Sequence, residues 1–99
     1  MDYMEHIQNT VDDAWDELHG AKHYAEVAGS MKGHDANATR MFSEMAKQEL
    51  QHAENLEDAA SKIASSSNDE TIKKMWNWMW KRLEDKKAEI MAKINMIER

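Results

Sequence analysis

Only two stretches of this chain can readily interrupt a helix, Gly29-Ser30-Met31-Lys32-Gly33-His34 and Ser65-Ser66-Ser67-Asn68. There is no proline, and the segments between are rich in Ala, Glu, Lys, Met and Leu, which lose least on becoming helical. The pattern predicts an all-α chain with helices at about 3–28, 36–64 and 68–98. Asp2 with Glu5 reads as a capping box for the first helix, Asp35 as the cap of the second, and Ser67 with Glu70 as the box opening the third. Similar lengths and short connections predict an antiparallel hairpin plus a third long helix in a single domain, residues 1–99. A chain of 99 residues leaves much of its surface exposed even when folded, so oligomerisation is expected.

Composition narrows the chemistry. Without cysteine there is no disulfide framework, thiolate zinc site or CxxC pair, which leaves His, Asp and Glu to hold any metal. A net charge of −6, with thirteen Lys and Arg spread among nineteen acids, argues against a nucleic-acid partner. The N-terminus has no basic and apolar leader pattern and no apolar run is long enough to span a bilayer, so a cytoplasmic protein without a membrane partner is expected.

In the second helix, spacings of four and three pick out Ala38, Phe42, Met45, Glu49, His52, Leu56, Ala59 and Ile63 as the inward stripe. Glu49 and His52, three apart, project side by side from it. The matching stripe of the first helix is Ile7, Thr10, Ala14, Glu17, Ala21, Tyr24 and Ala28. If the hairpin folds about Gly33, Glu17 lies sixteen residues before the pivot and Glu49 sixteen after it. Both then stand about 24 Å from the turn, at one level.

An ionised carboxylate in an apolar seam costs several kcal/mol unless compensated. Either a metal or a salt-bridged network with His52 would compensate Glu17 and Glu49, and periodicity alone does not separate the two. The common level favours a metal. One hairpin offers two carboxylates and one imidazole, too few for a shielded two-metal centre. Two copies offer four carboxylates and two imidazoles, whose four negative charges balance two divalent cations, so a homodimer is expected.

The run from Glu17 through Tyr24 and Ala25, followed by Phe42, Ala46, Glu49, His52 and Ala53, resembles the first helical pair of the rubrerythrin branch of the ferritin-like superfamily. The resemblance implies a ferritin-like four-helix bundle completed by dimerisation, with Glu17, Glu49 and His52 as iron ligands and catalytic residues. It further implies that Tyr24 hydrogen-bonds a ligand carboxylate or gives up an electron. The implied chemistry is oxidation of Fe(II) by dioxygen or peroxide, with two irons per dimer and a role in iron storage or detoxification.

A full rubrerythrin repeats the hairpin and commonly adds a cysteine-rich module, whereas here the third helix has no Glu-x-x-His and the chain has no cysteine. In size and ligand arrangement the chain is similar to the encapsulated ferritins, which implies larger assemblies of dimers and a shell protein as partner. Those carry a cargo-loading tail, while Met96-Ile97-Glu98-Arg99 reads as helix. The alternatives are a related di-metal peroxidase or manganese protein, and a metal-free helical interaction module.

For the last, the feature of interest is Trp76, Trp78 and Trp80. Trp76, Trp80, Leu83, Ile90, Ile94 and Ile97 follow the inward spacing of the third helix, interrupted by Lys87, and Trp78 widens the apolar arc. Packing between subunits is the favoured reading of this surface. His19 and His23 point away from Glu17 and read as a solvated or inter-subunit face.

Overall fold

A computed structural model describes residues 2–99 as three helices, α1 (Tyr3–Met31), α2 (Ala36–Ser66) and α3 (Glu70–Ile97). Among the described residues there is no strand, and no helix is long and apolar enough to cross a membrane. Each helix starts at an aspartate. Asp2 accepts a hydrogen bond from the Glu5 amide at 2.8 Å and Asp35 from the Ala38 amide at 2.9 Å, as the caps predict.

The third start corrects the expectation, because Asp69 rather than Ser67 is the cap and accepts from the Thr71 amide at 2.8 Å. Ser67 ends α2 instead, and its hydroxyl accepts from the Asp69 amide at 3.1 Å. Asp69 brings a full negative charge to the positive end of α3, which a hydroxyl cannot. Asp69→Ala is expected to cost about 1 kcal/mol in denaturant unfolding. Ser66→Ala, which removes a hydroxyl that donates to the Lys62 carbonyl, is the near-neutral control.

α1 also continues through Gly29 to Met31, past its expected end near residue 28. A glycine inside a helix costs only about 1 kcal/mol relative to alanine, and Ile97 of α3 lies over Gly29, so packing overrides the local weakness. The turn itself is made at Gly33, whose φ of +86° lies in the left-handed region. The His34 and Asp35 amides both donate to the Met31 carbonyl and close the end of α1.

α1 and α2 form the hairpin and bury Ala14, Ala21, Ala25, Ala28, Ala46, Ala53, Ala60 and Ala64. Side chains this small let two helix axes approach toward the short end of the usual 8–10 Å. α3 lies in the groove of the hairpin, parallel to α1, and buries Trp76, Met79, Leu83, Ile90 and Ile94. Its end is tied to the turn by Lys32, which donates to the Met96 carbonyl at 2.9 Å, and to α2 by Lys47, which donates to Glu98 at 2.6 Å.

The buried stripe of α2 is displaced by one residue from the one expected, and that of α1 in part. On α1 Ile7, Ala14, Ala21 and Ala28 are buried as expected, but Val11, Leu18 and Ala25 complete the core while Thr10, Glu17 and Tyr24 are only half-buried. On α2 it holds Ser43, Ala46, Leu50, Ala53, Glu57, Ala60 and Ala64, while Phe42, Met45, Glu49, Leu56 and Ile63 are half-buried and His52 and Ala59 exposed. Met79 likewise replaces Trp80 in the core of α3, and Trp78 and Trp80 are 61% and 46% exposed. The cause is the third helix. Docking of α3 on one flank of the hairpin rotates the buried arc toward it and leaves the other flank open.

Candidate metal centre

Glu17, Glu49 and His52 meet on that open flank. Glu17 and Glu26 are nine residues apart, about 180° around α1, and Glu26 reaches Lys93 of α3 at 3.9 Å. Glu17 therefore points away from α3. On α2, Glu49 and Lys47 are about 160° apart, and Lys47 holds Glu98 near the end of α3. The alanine-lined hairpin interface brings the two carboxylates to one level, as the equal spacing from Gly33 predicts.

His52 Nδ1 lies 3.5 Å from Glu17 Oε2 and 3.7 Å from Glu49 Oε1. One donor atom from each residue falls within 4.8 Å of the other two. Nitrogen and carboxylate ligands at about 2.0–2.2 Å from a borderline divalent ion stand at most about 4.4 Å apart, so small side-chain adjustments suffice to hold one. The side chains are 31%, 26% and 55% exposed for Glu17, Glu49 and His52, which leaves them that freedom. The donor set fits a hard or borderline cation.

Electrostatics agree with the geometry. Glu17 raises the Glu49 carboxyl above its ordinary range, chiefly through a hydrogen bond that requires a shared proton, with partial burial and charge repulsion adding to it. His52 opposes the shift. Two carboxylates held this way present a site that a cation relieves.

A family model described as Rubrerythrin matches residues 15–98, a span that includes all three donors. The chain belongs to the rubrerythrin family. No curated protein and no solved structure matches it. Rubrerythrin-family domains are typically iron-binding carboxylate proteins of an oxidoreductase type, and Glu17, Glu49 and His52 form a carboxylate and histidine group that could hold a metal ion.

Around the donors, Tyr24 stacks on Phe42 with ring centroids 6.2 Å apart, one side chain from each helix. His19 and His23 are exposed and take no part in the cluster.

Two residues of this rubrerythrin-family chain were not legible as functional. Gly20 faces the Glu49 carboxylate, and its only sequence signal is an isolated glycine inside a helical pattern. Glu57 is buried at the seam between α2 and α3, where Lys87 donates to it at 2.8 Å and to Glu84 at 2.9 Å. Its Oε1 is buried without a hydrogen-bond partner among the described residues. Burial pushes the Glu57 carboxyl up to about 7 against the pull of Lys87, with Glu84 adding to the rise. Burial also works against the Lys87 ammonium, but its hydrogen bonds to Glu57 and Glu84 outweigh that and hold it above its ordinary range.

Proposed function

We propose that the chain is a di-iron ferroxidase whose centre is completed by a second copy of itself, oxidising Fe(II) with dioxygen or peroxide in iron storage or detoxification. The observation that carries this reading is the placement of Glu17, Glu49 and His52 together on the flank that α3 leaves open. Three donors serve one ion incompletely. Two copies related by a two-fold axis would bring four carboxylates and two imidazoles to one place, complete a four-helix arrangement of two hairpins, and balance two divalent cations.

Iron, when bound, supplies the Fe(II)/Fe(III) redox chemistry. Glu17 and Glu49 would hold the ions and neutralise their charge, and His52 would contribute a nitrogen ligand. Tyr24, stacked on Phe42, would hydrogen-bond a ligand carboxylate or donate an electron. Half-buried Phe42, Met45, Leu56 and Ile63 follow the donors' stripe along α2 and would exclude water once a second copy covers them. Trp78 and Trp80 lie on another surface and are assigned to contacts between dimers in a larger assembly, the state in which a shell protein would enclose it.

The test is metal content and native mass after anaerobic Fe(II) loading. About one iron per chain in an even-numbered oligomer, lost in Glu49→Ala and His52→Ala, supports the shared centre. A correctly folded protein with no specific metal would overturn it and leave a helical interaction module. Turnover with peroxide but no mineral, or activity only with manganese, would assign a related di-metal enzyme instead.

A further inference from the structure

We infer that Gly20 is a positioning residue for the metal site, and that its missing side chain is what lets the Glu49 carboxylate lie against α1 beside Glu17. The inference rests on the reading of Glu17, Glu49 and His52 as metal ligands. A Cβ built on Gly20 would stand 3.1 Å from Glu49 Oε2, with the Glu49 carboxyl carbon at 3.7 Å and Cγ at 3.8 Å. Glu49 therefore crosses from α2 and lies closer to position 20 than an ordinary Cβ contact allows.

The two oxygens of Glu49 face different ways. Oε2 rests on Gly20, and Oε1 faces His52 Nδ1 at 3.7 Å. Gly20 follows Glu17 by three residues, so the gap lies about one turn along the same side of α1. Here the backbone of α1 forms the floor on which the carboxylate of α2 is oriented. An alanine would not block folding, because the clashing atom is the far end of a flexible side chain that is 26% exposed and free to swing outward. It would move the ligand atom by a few tenths of an ångström or more, which a coordination sphere registers.

The two effects of Gly20→Ala have opposite signs. Alanine favours the helix over glycine, so the metal-free variant should melt several degrees higher. Metal affinity should fall by about tenfold or more, as expected when a ligand loses its support. Gly29→Ala is the matched control, since a Cβ there meets only Ile97 at 3.8 Å, an ordinary contact remote from the donors. It should gain stability and bind metal as wild type does.

The experiment is a titration with Co(II), an air-stable probe, of wild type, Gly20→Ala, Gly29→Ala, Glu49→Asp and Gly20→Ala/Glu49→Asp, with melting of each metal-free protein. Shortening Glu49 withdraws the carboxylate from position 20, so Glu49→Asp should lower affinity in the wild-type background and by a smaller factor in the Gly20→Ala background. That non-additivity is what a purely structural role would not produce. Equal Co(II) affinity of wild type and Gly20→Ala, or strictly additive losses in the double variant, would overturn the role of Gly20 and leave the metal site standing. A wild-type protein that binds no Co(II) and no Fe(II) would overturn the metal site and the inference together.

Discussion

Metal-free protein carrying Glu49→Gln is expected to melt higher than wild type at neutral pH and to have lost its specific iron. Glu17 and Glu49 are close enough to share a proton, and Glu17 raises the Glu49 carboxyl by hydrogen bonding and repulsion as well as through its partial burial. Gln keeps the shape, removes one of the two charges, and offers Glu17 an amide donor. At these partly exposed positions the gain should be on the order of 0.5 kcal/mol, or a few degrees of melting temperature. Iron affinity should fall by about 100-fold or more, because loss of a supporting residue alone typically costs 10–100-fold and this change removes a ligand. Calorimetry of the metal-free proteins at one fixed concentration, paired with metal analysis after anaerobic loading, checks both signs. Retained iron would remove Glu49 from the ligand set, and a lower melting temperature would mean the carboxylate pair is not under repulsion.

Stability of the metal-free wild type should fall between about pH 5 and 8, and Glu57→Gln should remove most of that slope. The folded Glu57 carboxyl holds its proton to about 7, whereas the unfolded one releases it near 4.5. Between those values the folded state binds more protons, so raising the pH favours unfolding, and the loss is complete above the folded value. The full difference corresponds to about 3 kcal/mol, and on the order of 2 kcal/mol is expected once the protein relaxes around the charge. The raised Glu49 carboxyl acts in the same direction and accounts for the residual slope.

Lys87→Met gives the complementary result. It removes the only hydrogen-bond donor to Glu57 among the described residues, so the loss should be about 3 kcal/mol at pH 8, where the carboxylate is ionised and stranded, and much smaller at pH 5. Urea unfolding of the three proteins at pH 5, 6, 7 and 8 reads all of this. Parallel pH profiles for wild type and Glu57→Gln would show that the buried carboxyl does not govern the slope.

Both predictions arise where local pattern and tertiary structure part company. The three helices, two of the three caps and the common level of Glu17 and Glu49 follow from local chemistry. Helix propensity, Asp2 and Asp35, and equal spacing about Gly33 need no knowledge of what packs on what. The grouping of Glu17, Glu49 and His52 was also legible, because polar residues at helical spacing in an apolar stripe converge wherever the hairpin faces.

The orientation of that stripe was not legible, and the reason is geometric. Adjacent stripes on one helix, such as Phe42, Met45 and Glu49 beside Ser43, Ala46 and Leu50, differ by only about 100° and have similar periodicity. Which of them enters the core depends on where α3 docks, a contact between residues far apart in sequence. Its docking carried Glu57 inward opposite Lys87, turned Trp78 and Trp80 outward, and left the donors half open. Gly20 was hidden for the same reason: what fills the space above a glycine belongs to another helix. The sequence by itself therefore determined which polar side chains can group together, and the packing of α3 decided that they do so on a half-exposed flank.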